Sequence, residues 1–163
     1  MREDRGFLRW CLSQTRGLRL VKPSQNLVKG YVEKSRSALR SMSVNAKAGI
    51  IEWAVSASYY AKYFSVYALL SKVGVRCEIH DCTIAVFQYL FGGVVSRNLV
   101  QEFRRSKEDR IETQYYTREV RVDLSQLMRK TRNFVLDIEK IADGLSPARI
   151  AILQNSLKDL RKT

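Results

Sequence analysis

Residues 50–74 read IIEWAVSASYYAKYFSVYALLSKVG, the longest apolar-periodic run in the chain and one that contains no proline. Ile50, Trp53, Ala57, Tyr60, Ala61, Phe64, Tyr67 and Ala68 recur at steps of three and four, which predicts one helical stripe rather than alternating strand faces. Ala54, Ala57, Ser58, Ala61 and Ser65 are small enough for neighbouring helices to approach closely, with Trp53, Tyr60 and Phe64 filling the gaps between them. Gly74 is the expected stop, since glycine takes the left-handed conformation that closes a helix. At ~1.5 Å per residue the run spans roughly 37 Å, a bundle-length helix. Glu52, Lys62 and its many hydroxyls argue against a membrane span. Tyr59, Tyr63, Val66 and Leu69 fall outside the main stripe, more apolar surface than a single bundle is expected to cover.

The same periodicity extends outward. Ser24 is a candidate N-cap for a helix carrying Leu27, Val28, Tyr31, Val32, Leu39 and Met42 and ending near Asn45. Residues 78–91 predict a third helix with Ile79, Cys82, Val86, Tyr89 and Leu90 inward, broken by Gly92 and Gly93. A fourth starts at Ser96 and turns very polar from Arg104 to Gln114, a fifth occupies residues 121–143, and Ser146-Pro147 opens a last one. With no strand alternation or internal repeat, the expectation is an all-α, antiparallel up-and-down bundle of five to six helices over residues 24–163. Residues 1–23 are expected to form a basic, irregular or partly helical arm, with Phe7 and Trp10 docked on the bundle and Arg2, Arg5, Arg9, Arg16 and Arg19 solvated.

The 163 residues are 45% apolar and 28% charged, ordinary for one globular domain, but the formal net charge is +13. Residues 1–22 carry six basic and two acidic side chains, whereas residues 48–95 carry three of each. A neutral centre with a basic periphery suits a polyanionic partner such as RNA, or simply a solvated surface. Three cysteines at irregular spacing, Cys11, Cys77 and Cys82, are expected to be buried or indifferent thiols, and with no secretory leader the expected compartment is the cytoplasm. Cys77, His80 and Cys82 fall within six residues, yet a structural zinc site needs four ligands, so no metal is implied, and no cofactor either. The phosphate-loop, nucleophile-elbow and HExxH patterns are absent. The single histidine, His80, reads as a surface or interhelix hydrogen-bonding residue rather than a catalytic base.

The run YYAKYFSVYALLSKVGVRCEIHDCTIAVFQYLF, followed by RIETQYY, resembles the HEPN superfamily of prokaryotic helical domains over residues 24 to about 140. Members share an AYYAxFxxxxALLxxxG helix and a later arginine separated by four residues from a histidine or tyrosine. The resemblance implies a bundle that forms a homodimer and is often encoded beside a minimal nucleotidyltransferase in toxin–antitoxin pairs. Some members are RNA-cleaving toxins whose arginine and histidine form a metal-independent site across the dimer cleft. Arg110 matches the arginine, but Tyr115 stands at the histidine position, with Tyr116 next to it. A tyrosine with a reference pKa near ~10 is a poor acid–base group beside a histidine near ~6.5. Five helical positions also turn Tyr115 roughly 140° from Arg110. The expectation is a dimeric module that binds nucleotide or RNA through Arg104, Arg105, Lys107, Arg110 and Tyr116. The alternative is a ribonuclease with an altered Arg110/Tyr115 site.

Overall fold

The computed structural model describes residues 2–116 and 121–162. In chain order the elements are α1 (Arg2–Ser13), β1 (Arg19–Leu20), α2 (Gln25–Lys47), α3 (Ile51–Val73), β2 (Val75–Arg76), α4 (His80–Phe91), α5 (Arg97–Tyr115), α6 (Leu124–Asp143) and α7 (Pro147–Lys162). The all-α expectation holds, with seven helices among the described residues where five or six were expected. No helix among them is long and apolar enough to cross a membrane.

Local chemistry sets the helix boundaries. Ser24, Ser96, Asp123 and Ser146 each place a side-chain oxygen on a backbone N–H three residues on, supplying an acceptor that the first helical turn lacks. Gly74 ends α3 at φ 79°. A Cβ there would lie 2.4 Å from the Val21 carbonyl oxygen, so glycine is required both by the left-handed turn and by the chain that crosses it. Val21 directly follows β1, which pairs antiparallel with β2 in the register Leu20↔Val75, the only strand pairing among the described residues.

The core is organised around α3, which packs against α2 most extensively and also against α5, α6 and α7. Its small residues do let the neighbours in. Ser35 of α2 donates to the Ala61 carbonyl at 2.7 Å, and Ser58 bonds Thr131 of α6 at 2.7 Å. The single-stripe expectation needs correction: α3 is buried on nearly all sides from Ala54 to Val73. Trp53 and Ile50, assigned inward, are 60% and 42% exposed at the helix start, whereas Tyr59, Tyr63, Val66 and Leu69 are buried within the protomer. Uncovered apolar surface on that face therefore gives no argument for a dimer. Periodicity cannot pick a face on a helix that has apolar residues on every side.

The N-terminal segment also differs in detail from its expectation. Residues 2–13 are helical, and Leu8, Cys11 and Leu18 are fully buried. Phe7 and Trp10 instead stay largely exposed and stack on each other at 5.5 Å, because the helical register that turns Leu8 and Cys11 inward puts them on the adjacent outer stripe. Arg5, Arg9 and Arg16 are solvated as expected, but Arg19 is half-buried and bonds Glu78 at 2.7 Å; the side chain of Arg2 lies outside the described residues.

The thiol expectation fails for two of the three cysteines. Cys11 of α1 and Cys82 of α4 form a disulfide across a sequence separation of 71, and only Cys77 is a free, buried thiol. Nothing local in the sequence announces this pair; the packing of α1 on α4 creates it. It also weakens the cytoplasmic expectation, since stable disulfides belong mainly to oxidising compartments. Closing a loop of this size restricts the unfolded chain by about 4 kcal/mol in the chain-entropy account. The double variant Cys11→Ser/Cys82→Ser should therefore have a clearly lower urea midpoint than the oxidised parent. An unchanged midpoint under non-reducing conditions would show that the bond does not contribute to stability.

Candidate functional site

The central helix carries a tyrosine pair, Tyr59 and Tyr60, with Tyr63 one turn on. Where α4 begins, His80 stacks on Tyr63 with ring centroids 4.5 Å apart, and its Nδ1 lies 2.5 Å from the Tyr59 hydroxyl oxygen. Across from them α5 brings Arg110, whose guanidinium sits 5.2 Å from the Tyr59 ring centroid and 5.8 Å from that of Tyr60. Lys107, one turn earlier, is ion-paired with Asp81 at 2.5 Å. Three helices thus converge on one group of rings and charges.

Protonation states follow from this packing. Burial raises the Tyr59 hydroxyl well above the ordinary tyrosine range, so it keeps its proton. A buried hydroxyl that donates to nothing is costly, and His80 Nδ1 is its partner, so Tyr59 donates and Nδ1 accepts. His80 Nε2 then carries the ring proton. Burial first, and then the positive charges of Arg110 and Lys107, hold the His80 pKa below its usual value, against the opposing pull of Asp81. The imidazole is therefore neutral at pH 7, with its acceptor nitrogen occupied and an N–H remaining.

Arg110 has donor capacity in reserve. Its hydrogen bond runs from Nη1 to Gln114 Oε1 at 3.0 Å, and its Nε is buried without a partner. Arg110, the His80 Nε2–H and the Lys107 ammonium make a cluster of donors on a stacked aromatic base, chemistry that suits a phosphate. Among the described residues, no group of three or more His, Cys, Asp or Glu side chains is arranged to hold a metal ion.

The other residues singled out in the sequence distribute unevenly. Arg104 lies on the same flank of α5 as Lys107 and donates to Gln88 of α4 at 3.1 Å. Arg105 turns the other way, into a polar cleft with Lys62, Asp109 and Lys130 between α3, α5 and α6, so the four basic residues do not form one surface. Tyr115 and Tyr116 are 72% and 58% exposed at the end of α5. Arg110 points instead at Tyr59 and Tyr60, and among the described residues nothing brings Tyr115 onto it; nor does Tyr115 pack in a core. Sequence reasoning did not anticipate Tyr59 as the partner of His80. The signal was the lone histidine opening a helix just after one that carries paired tyrosines.

A family profile describing the HEPN domain matches residues 28–149, three quarters of the chain. The chain belongs to the HEPN domain family. Among curated proteins, no relative matches it. The matched span contains all of α3 to α6 and nearly all of α2, and with them every residue of the Tyr59–His80–Arg110 cluster; within it this HEPN chain has tyrosine at 115 and its only histidine at 80.

The lowered His80 pKa has a measurable consequence for stability. Below about pH 6.5 the unfolded chain takes up a proton at His80 that the folded protein refuses, so this group makes stability fall as pH falls through that window. Asp109, pushed up first by burial, acts in the opposite sense and in the more acidic carboxylate range. The urea midpoint should drop between about pH 7.5 and pH 5.5, and His80→Asn should shrink that drop. An identical drop in the variant would remove His80 as its source.

Proposed function

We propose that this HEPN domain is a binding module that works as a homodimer and holds a phosphate of a nucleotide or RNA at Arg110, His80 and Lys107 without cleaving it. The single observation behind this reading is the Tyr59–His80 hydrogen bond. Cleavage through a 2′-hydroxyl needs a base near neutral pH, and the nitrogen that could serve is already occupied by a hydroxyl that stays protonated. What remains on offer is a set of donors. A neutral N–H beside a guanidinium stabilises an oxyanion but removes no proton. The pairing with a minimal nucleotidyltransferase and the toxin–antitoxin setting rest on family resemblance, as does the homodimer now that α3 is seen to be covered.

Purified protein should bind single-stranded RNA with an affinity that falls steeply from low to moderate salt, and Arg110→Ala should weaken binding and lower the salt slope by about one. Charge reversal at Arg105, on the opposite flank of α5, should matter less than at Lys107. Cleavage in the presence of a chelator should be absent. Robust metal-independent cleavage that disappears in Arg110→Ala would overturn the reading in favour of a ribonuclease with an altered site. Light scattering should give twice the 18.8 kDa chain mass; a monomer at micromolar concentration would remove the homodimer.

A further inference from the structure

Three exposed aromatic side chains meet at one place. Trp53, in the first turn of α3, and Tyr115 and Tyr116, at the end of α5, line a single cleft of about 580 Å³ with Glu52, Thr113 and Gln114. The fold covers its other tyrosines, with Tyr59, Tyr63 and Tyr67 buried and Tyr31, Tyr60 and Tyr89 half-buried. Outside the self-stacked Phe7–Trp10 pair, this is where large rings among the described residues are left bare around one cleft, the usual mark of a surface that takes a partner. Gln114 belongs to both regions: it lines the cleft and accepts the hydrogen bond from Arg110. Gln114 follows Arg110 by four residues, about 6 Å along α5, so the two regions adjoin.

Charge divides the work between them. Among the described residues no basic side chain lines the cleft, and the Glu52 carboxylate there repels phosphate. Of these two regions, the described phosphate donors lie on the Arg110 side. An occupant that fits both has an anionic part and, a short step from it, a flat uncharged part with hydrogen-bond donors that a carboxylate can accept. We propose that Trp53, Tyr115 and Tyr116 form a stacking slot for an unpaired base of single-stranded RNA whose phosphate is held at Arg110. This rests on the phosphate-binding reading above and adds the base to it. Stacking on aromatic faces is tolerant of base identity, because every base has a π-face. The net charge of +13 draws a polyanion to this surface, whereas a second copy of the chain gains nothing from it.

The chain has two tryptophans, and Trp10 rests on Phe7, where phenylalanine preserves the stacking. In a Trp10→Phe background, indole emission reports on Trp53 alone. A short oligoadenylate should quench that emission in low salt, and an abasic ribose-phosphate strand of equal length should not. Trp53→Ala and Tyr116→Ala should each weaken oligoadenylate binding roughly five- to a hundred-fold while leaving the salt slope unchanged. Oligoadenylate binding that leaves the emission untouched and survives both substitutions, yet is lost in Arg110→Ala, would sink the stacking slot and spare the phosphate site. No binding of either strand in low salt would end both readings. If Trp53 emission shifts to the blue as protein concentration rises and Trp53→Ala turns a dimer into a monomer, the slot is covered by a second copy and the proposal is wrong.

Discussion

A helix buried on all sides must satisfy every polar group it carries from the elements around it, and in this protein that demand decides where those elements sit. The sequence of α3 mixes apolar residues with hydroxyls and one lysine. Each of several finds a partner on a different neighbour: Ser58 on Thr131 of α6, Lys62 on Glu102 of α5 at 2.9 Å, Tyr67 on the Cys77 N–H at 3.1 Å and Tyr59 on His80 of α4. Leaving any of them unpaired in the core costs free energy comparable to a lost hydrogen bond or more. Burial of the apolar residues pulls the neighbours in, and these polar contacts fix their register. Lys62 shows the tension: burial pushes its pKa down, and Glu102 beside it pushes back.

The candidate site is a by-product of the same constraint. Tyr59 needs an acceptor, and His80 provides one at the start of α4. That contact fixes the imidazole tautomer, and burial, with the adjacent Arg110 second, keeps the ring neutral while the guanidinium lies across the tyrosine faces. A guanidinium held this way has lost much of its freedom before any ligand arrives, which lowers the entropic cost of holding an anion. The tyrosines thus serve as both core and platform. Tyr63 and Tyr67 extend the layer, their hydroxyls also raised by burial, that of Tyr67 to about 12.

Much of the fold was legible because it depends on local signals. Ser24, Ser96 and Ser146-Pro147 mark helix starts through cap chemistry, and Gly74 marks an end through its backbone freedom; all four act where they stand in the chain. Phe134 and Ile138 of α6, and Leu153 and Leu157 of α7, recur at four-residue steps and are buried, a pattern that periodicity can show because each of these helices is covered on one face only. What the sequence hid depends on distant partners. The orientation of α3 is set by what covers it, Cys11 meets Cys82 only after α1 docks, and Tyr59 meets His80 only after a turn and a strand reverse the chain. Arg110 was found through a motif, but its surroundings were not: helical rotation separates Arg105 from Lys107 and Arg110, three residues that a linear reading groups as one basic patch.

The Cys11–Cys82 bond also changes the topology of the covalent chain. With it in place, α2 and α3 belong to a closed ring of backbone, and the turn between them at Lys47–Ile51, with Gly49 at φ 71°, is an exposed stretch of that ring. A single peptide cut there opens the ring but releases no fragment, because the two pieces stay joined through α1 and α4. Their apparent mass separates only on reduction. The molecule can therefore be nicked at this exposed turn between helices and keep α3 clasped by its neighbours, so that cleavage of the backbone and loss of the fold become separate events.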